Sequence, residues 1–202
     1  MQLTLADIQK TAVELLDSYG LGDMTMRRIA TTLGVAPGAL YWHVANKQAL
    51  IAQIADSFIA NVSGNTPQDV VLSLRDQLLA HRDGAELVTA AISQPDSRGW
   101  QELNTKFLSA LHDVDIEPTA AVVGAQTLIH LTLGATVVEQ SRSQFAALFA
   151  QTNANASEQT SDASEEENQE VDNTQQVALS PQEMIIAGTS AVLKGLPKVR
   201  QD

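Results

Sequence analysis

Residues 25 to 47, T-M-R-R-I-A-T-T-L-G-V-A-P-G-A-L-Y-W-H-V-A-N-K, constrain the fold more tightly than any other stretch of the chain. Met26, Ile29, Ala30 and Leu33 recur at helical spacing behind Thr25, whose hydroxyl suits an N-cap. Gly34 ends that helix, because a tight helix exit needs a residue free to take positive φ. Pro37 then opens a second short helix, since a missing N–H costs nothing at a first helical position, and Leu40 and Val44 supply its buried side. Two helices joined by a glycine-containing turn of about three or four residues make a helix-turn-helix, and the second helix of such a pair fits the major groove of duplex DNA.

The residues left facing outward suit that use. Thr25 offers a hydroxyl and a helix N-terminus to a phosphate, Arg27 and Arg28 offer charge, and Tyr41, Trp42, His43 and Lys47 cluster at the far end. Pro37, Gly38 and Ala39 carry little side chain, so the front of the second helix can approach base edges and meet a thymine methyl.

The run L-G-V-A-P-G-A-L-Y-W-H-V-A-N-K-Q-A-L closely resembles the DNA-binding domain of the tetracycline-repressor (TetR/AcrR) family of bacterial transcription regulators. Leu40, Tyr41, Trp42, His43, Asn46 and Lys47 all stand where the family motif has them. The resemblance implies an all-α protein: an N-terminal three-helix DNA-binding domain over 1–46, a connecting helix over 47–66, and a C-terminal helical effector-binding and dimerisation domain over 67–202. It also implies that Arg27 contacts a base, whereas Lys47 is expected to hold phosphate.

No cysteine occurs, so neither a disulfide framework nor a thiolate metal site is available. The N-terminus lacks a charged segment followed by an apolar run, and no eighteen consecutive residues are apolar; a soluble, cytoplasmic chain with no membrane partner is the expectation. The formal charge of −12 is at odds with DNA binding until it is placed along the chain. Residues 1–63 hold Lys10, Arg27, Arg28 and Lys47 against Asp7, Glu14, Asp17, Asp23 and Asp56, a net of −1. Affinity for DNA then leans on helix N-termini and a few placed cations rather than on a broad positive field.

In chain order, Thr4 and Asp7 form a capping pair for a helix to Tyr19 that buries Leu5, Ile8, Ala12, Leu15 and Leu16 and ends at Gly20. Asn46 caps a fourth helix with Leu50, Ile54, Phe58 and Val62 inward, before Ser63-Gly64-Asn65 breaks it. The body opens near Pro67 with a helix over 68–81, then an apolar run from Gly84 to Ile92. His81-Arg82-Asp83 has the letters of a kinase catalytic loop, yet Val88 stands where that loop needs Asn, and there is no D-F-G and no Gly-rich loop. H-R-D-G-A instead resembles the Y-R-D-G-A segment of the tetracycline-repressor branch.

Trp100 to Leu111 reads as a helix, and His112, Asp113 and Asp115 after it read as a solvated turn rather than a metal site. The longest apolar helical stretch runs from Pro118 to about Phe149, where H-L-T-L-G-A-x-V-x-E-Q again resembles the tetracycline-repressor body. From about 151 to 180 the chain turns polar and acidic, without Lys or Arg, and a mobile loop is expected. Ser180 and Pro181 then open a last helix to Leu196 whose apolar residues occupy nearly every side. In the family this helix and the long one pair with their copies across a two-fold axis.

Two functions of different class follow from these residues. The first is a homodimeric repressor released from a near-palindromic operator by a small-molecule effector held in the body, with Trp100, Asn104, Gln126, His130 and Glu139 as candidate effector contacts and no cofactor. The second is a helical ligand-binding protein or enzyme with a vestigial DNA-binding head. Against the enzyme, the chain has no G-x-S-x-G, H-E-x-x-H, P-loop or dinucleotide turn, and no residue is assigned a catalytic role. Tetracycline with Mg²⁺ is a poor match as effector, because the branch's drug- and metal-binding histidines are replaced here by Asn61-Val62-Ser63 and Leu87-Val88-Thr89. The operator need not match the branch's either, since Pro37-Gly38-Ala39 lacks polar side chains.

Overall fold

The computed structural model describes residues 3–112, 114–159 and 179–199, and among these every regular element is a helix. Helix α1, Leu5–Tyr19, starts at a reciprocal cap: the Thr4 hydroxyl accepts from the Asp7 N–H at 3.2 Å, and the Asp7 carboxylate accepts from the Thr4 N–H at 3.0 Å. Hydrogen bonds from the Thr4 side chain and backbone hold the Asp7 carboxyl below the usual carboxylate range. Ile8, Ala12, Leu15 and Leu16 form the buried face of α1, and Gly20 closes it at φ 86°.

Helices α2, Met26–Leu33, and α3, Pro37–Leu40, form the pair expected from the sequence. Gly34 sits at φ 68°, ψ 29°, so that its N–H reaches Thr31 and the Val35 N–H reaches the Ala30 carbonyl. Regular helix in α3 lasts four residues, but the N–H groups of His43 and Val44 still bond to Leu40 and carry the turn to Val44. Leu40 and Val44 are buried in the core cluster that α1 and α2 share. Asn46 caps α4, Lys47–Ala60, by accepting from the Ala49 N–H at 2.8 Å. Leu50, Ile54 and Phe58 face inward as expected, joined by Ile51, Ala55 and Ile59.

In the body, Thr66 and Asp69 repeat the reciprocal cap at α5, Pro67–Leu79. After it come α6, Gly84–Ile92, and α7, Arg98–Leu111, the latter capped by Ser97. Helix α9, Pro181–Gly195, has a third such cap in Ser180 and Glu183. One cluster of buried apolar side chains runs from Ile8 to Ile185, through the head, α4 and the body without a break. Deep within the body Arg75 makes a bidentate pair with Glu139, Nε to Oε2 at 3.1 Å and Nη2 to Oε1 at 2.6 Å.

Helix α8, Pro118–Gln159, is ten residues longer than its apolar part, which ends near Phe149. This corrects the loop expected from 151: residues 151–159 continue the helix, and 160–178 lie outside the described residues. Extending a formed helix gains a hydrogen bond for each residue fixed, and the run A-A-L-F-A-Q-T-N-A-N-A is rich in alanine, so polarity alone does not end it. The segment 118–154 contains an 18-residue window of mean hydropathy 1.6, apolar and long enough to cross a membrane, of which 39% is buried within this chain. Val122, Val123, Val138, Phe145, Leu148 and Phe149 remain exposed on α8, and Met184 on α9.

The H-R-D turn between α5 and α6 joins body to head. His81 stacks on Phe58 of α4 with ring centroids 4.2 Å apart, and its Nδ1 lies 3.1 Å from both oxygens of Asp17 on α1. The Arg82 N–H also donates to Asp17. Asp83, at φ 54°, accepts from the Leu21 N–H and from Gln144 of α8.

Candidate nucleic-acid interface

The outer side of the helix-turn-helix carries most of the side chains expected there. Tyr41 is 53% exposed and Trp42 is 90% exposed, and neither ring belongs to the buried core of the described residues. A large indole left that open is costly in water unless something else covers it. His43, Pro37 and Gly38 are exposed beside it, and Ala39 is half-buried. Arg27 is exposed, and its guanidinium has no ion-pair partner among the described residues.

Three of the expected contacts also have work inside the protein. The Thr25 hydroxyl accepts from the Arg28 N–H at 3.2 Å, so it caps α2 while remaining exposed. Arg28 lies over the Tyr19 ring at 3.7 Å from the centroid and donates to Asp23 at 2.9 Å. Lys47, half-buried at the start of α4, donates through Nζ to the Leu21 carbonyl at 3.2 Å. Spacing along a helix shows which way a side chain points, and these partners lie on other elements, which is why the sequence placed Arg28 and Lys47 in solvent.

The body residues expected to form one effector site do not all meet. Trp100 and His130 do: their rings lie 5.6 Å apart, tilted by 43°, on the wall of a cavity of about 520 Å³ between α6, α7 and α8. Asn104 sits one turn further along α7 and donates to the Trp100 carbonyl at 2.9 Å. Gln126 is exposed on α8, outside the cavity lining. Glu139 is taken up by Arg75, so its carboxylate serves the core. The wall also holds Thr89, Ile92, Ser93, Leu133, Gly134 and Val137, which the sequence reading passed over. A signal for part of it existed, since 130, 133, 134 and 137 share one helical stripe. Among the described residues no three His, Asp or Glu side chains converge on a metal-sized space; Asp113 of the polar turn lies outside them.

Comparison with known proteins bears on this geometry directly. The family model described as "Bacterial regulatory proteins, tetR family" matches residues 8–54, from the first turn of α1 into α4. The tetracycline repressor protein class E of Escherichia coli is 34% identical over 154 residues, which span 71% of this chain and 72% of that protein. The crystal structure of Mycobacterium smegmatis BioQ superposes with a TM-score of 0.76 at 30% identity, over 96% of this chain and 97% of that one. A crystal structure of BioQ with its double-stranded DNA operator is 39% identical, with a TM-score of 0.65, over 72% of this chain and 92% of that one.

Proposed function

This chain belongs to the tetR family of bacterial regulatory proteins, and from that membership we propose that it works as a homodimeric repressor which a small molecule releases from a near-palindromic operator. It is a DNA-binding transcriptional regulator, and its relatives are regulators rather than enzymes. We place it in the cytoplasm, where bacterial DNA is.

The observation that carries the reading is the exposure of Trp42 and Tyr41 at the end of a helix-turn-helix whose core is complete without them. Those rings, with Arg27 and the N-termini of α2 and α3, supply apolar, cationic and backbone N–H contacts for one stretch of duplex. Pairing of two copies is supported by the apolar side chains left open on α8 and α9. Val138, Phe145 and Met184 form a surface that water disfavours and that a second α8–α9 pair fits, making a four-helix bundle. The dimer would set two recognition elements about one DNA turn, roughly 34–36 Å, apart. A ligand that binds one spacing of the heads better than the other then shifts the population toward release.

The deciding experiment measures binding of the purified protein to fluorescent fragments from the intergenic regions beside its own gene, across a salt series. Tight binding to one fragment, two protomers per site and weak binding to scrambled DNA are expected. A protein that treats every fragment like the scrambled one at low ionic strength overturns the proposal.

A further inference from the structure

The cavity between α6, the first turn of α7 and the middle of α8 has a chemistry specific enough to name a ligand class. Its walls are largely apolar: Ile92, Leu133 and Val137 face it, and the Trp100 indole forms a flat side. Among the described residues no Asp, Glu, Lys or Arg lines it. The hydroxyls on its rim have committed their protons, Thr89 to the Ala85 carbonyl at 2.7 Å and Ser93 to the Thr89 carbonyl at 2.8 Å. His130 differs from them. Its ring leans on Trp100 at an exposed position of α8, and among the described residues neither ring nitrogen has a hydrogen-bond partner, so both are open to water. Among the described residues His130 and the Trp100 indole are the two side chains of the wall with an N–H to give, and the indole N–H lies in the plane of its own ring, away from a group stacked on that face.

We propose that this cavity binds a flat, apolar ring compound bearing a carbonyl or carboxylate oxygen, with the ring stacked on Trp100 and the oxygen accepting a hydrogen bond from His130. The assignment rests on the reading of the chain as an effector-responsive regulator and supplies its effector class. A volume of about 520 Å³ suits such a molecule. Burial of the ring provides the affinity, and the imidazole selects the oxygen, because an apolar analogue displaces water from His130 without replacing its hydrogen bond. At 3.6 residues per turn, His130, Leu133, Gly134 and Val137 centre about 50° around α8 from the exposed apolar residues Val122, Val123, Val138, Phe145, Leu148 and Phe149, with Leu148 in line with His130, so the cavity stripe adjoins the face that pairs two copies.

The test follows Trp100 fluorescence in a Trp42→Phe variant titrated with 2-naphthoate, 2-acetylnaphthalene and naphthalene. At least one oxygen-bearing probe should bind roughly tenfold more tightly than naphthalene, and His130→Ala should remove that advantage while leaving naphthalene unchanged. A preference for the naphthoate identifies an acid as the natural class; a preference for the ketone identifies a neutral carbonyl compound. Equal affinity for all three probes, or an advantage that survives His130→Ala, overturns the proposal. So does the absence of any fluorescence change in protein that keeps its helical circular dichroism, which would mean that a second copy fills the space. Release of the operator is measured separately on the unsubstituted protein. Tight probe binding that leaves DNA affinity untouched overturns the effector reading, while the cavity keeps its assigned ligand.

Discussion

Asp83 accepts a hydrogen bond from the Leu21 N–H at 2.8 Å with one carboxylate oxygen and from the Gln144 amide at 2.6 Å with the other. A single side chain thus ties the turn after α1, in the DNA-binding head, to α8 of the body. Its backbone is in the left-handed region at φ 54°, which Asp tolerates better than most residues because its short side chain bonds locally. Gly20 completes the joint: at φ 86° it lets Asp83 approach, and a Cβ there would stand 2.7 Å from the carboxylate oxygen.

Replacing Asp83 therefore loosens the head from the body. Asp83→Ala removes two hydrogen bonds to a charged group and leaves alanine in the left-handed region, a combined cost of about 2–4 kcal/mol. Asp83→Asn keeps an oxygen for Leu21 and the left-handed preference, and should cost about 1 kcal/mol. Urea denaturation of both variants measures the difference. Equal stability of Asp83→Ala and the parent would mean that the joint is not held here.

The Arg75–Glu139 pair invites a sharper comparison. Its side chains are 10% and 17% exposed, so loss of Arg75 strands the Glu139 charge, and loss of Glu139 leaves the guanidinium only the exposed Asp76 carboxylate at 3.6 Å. Arg75→Met or Glu139→Leu alone should destabilise by about 3–5 kcal/mol, whereas the double replacement should recover most of that loss. A double variant as unstable as the sum of the single ones would show that the two residues act independently.

How far the sequence disclosed all this depends on how local the physics is. Caps and breaks are set within four residues, so Thr4 with Asp7, Thr25, Gly34, Asn46 and Ser180 were legible as helix boundaries. The buried stripes of α1 and α4 were legible for the same reason. Partners separated by many residues were not: Gln144 on Asp83, Glu139 under Arg75 and Lys47 on Leu21 connect elements whose packing no periodicity reveals. The extension of α8 through 151–159 was hidden because polarity resembles a loop signal, while alanine content decides helix continuation. In the head, exposure of Trp42 and Tyr41 followed from the motif, but the occupation of Arg28 by Tyr19 and Asp23 did not.

Those occupations divide the cations of the head by role. Arg27 is free to enter a groove, so Arg27→Ala should weaken operator binding more than binding to random duplex, by about 1–3 kcal/mol per base contact. Lys47 already holds the Leu21 carbonyl, so Lys47→Ala should weaken all duplexes alike and lower thermal stability as well. Anisotropy titrations on operator and scrambled DNA, paired with melting curves, test both. Equal losses on the two duplexes for Arg27→Ala would remove it from base contact.

Asp56 on α4 gives the fold a pH dependence opposite to that of its helix caps. Desolvation by burial is the largest influence on it and raises its carboxyl above the usual Asp range; Arg98 pulls it down and Glu102 pushes it up. A raised carboxyl binds its proton more tightly in the folded protein than in the unfolded chain. The charged form therefore costs stability above the folded value, and the cost disappears once pH falls below the unfolded value of about 3.9. The capping carboxylates Asp7, Asp69 and Glu183 are lowered by their hydrogen bonds. They contribute stability above the unfolded carboxylate range and lose it as pH falls through their folded values. Asp56→Asn separates the two effects, since the caps are common to both proteins. Asn keeps the shape without the charge, and it leaves Arg98 exposed to water rather than stranded. The variant should melt higher than the parent at pH 7, and the gap should close as pH approaches 4. A gap that is independent of pH, or a variant that melts lower at pH 7, would show that Arg98 compensates the buried charge in full.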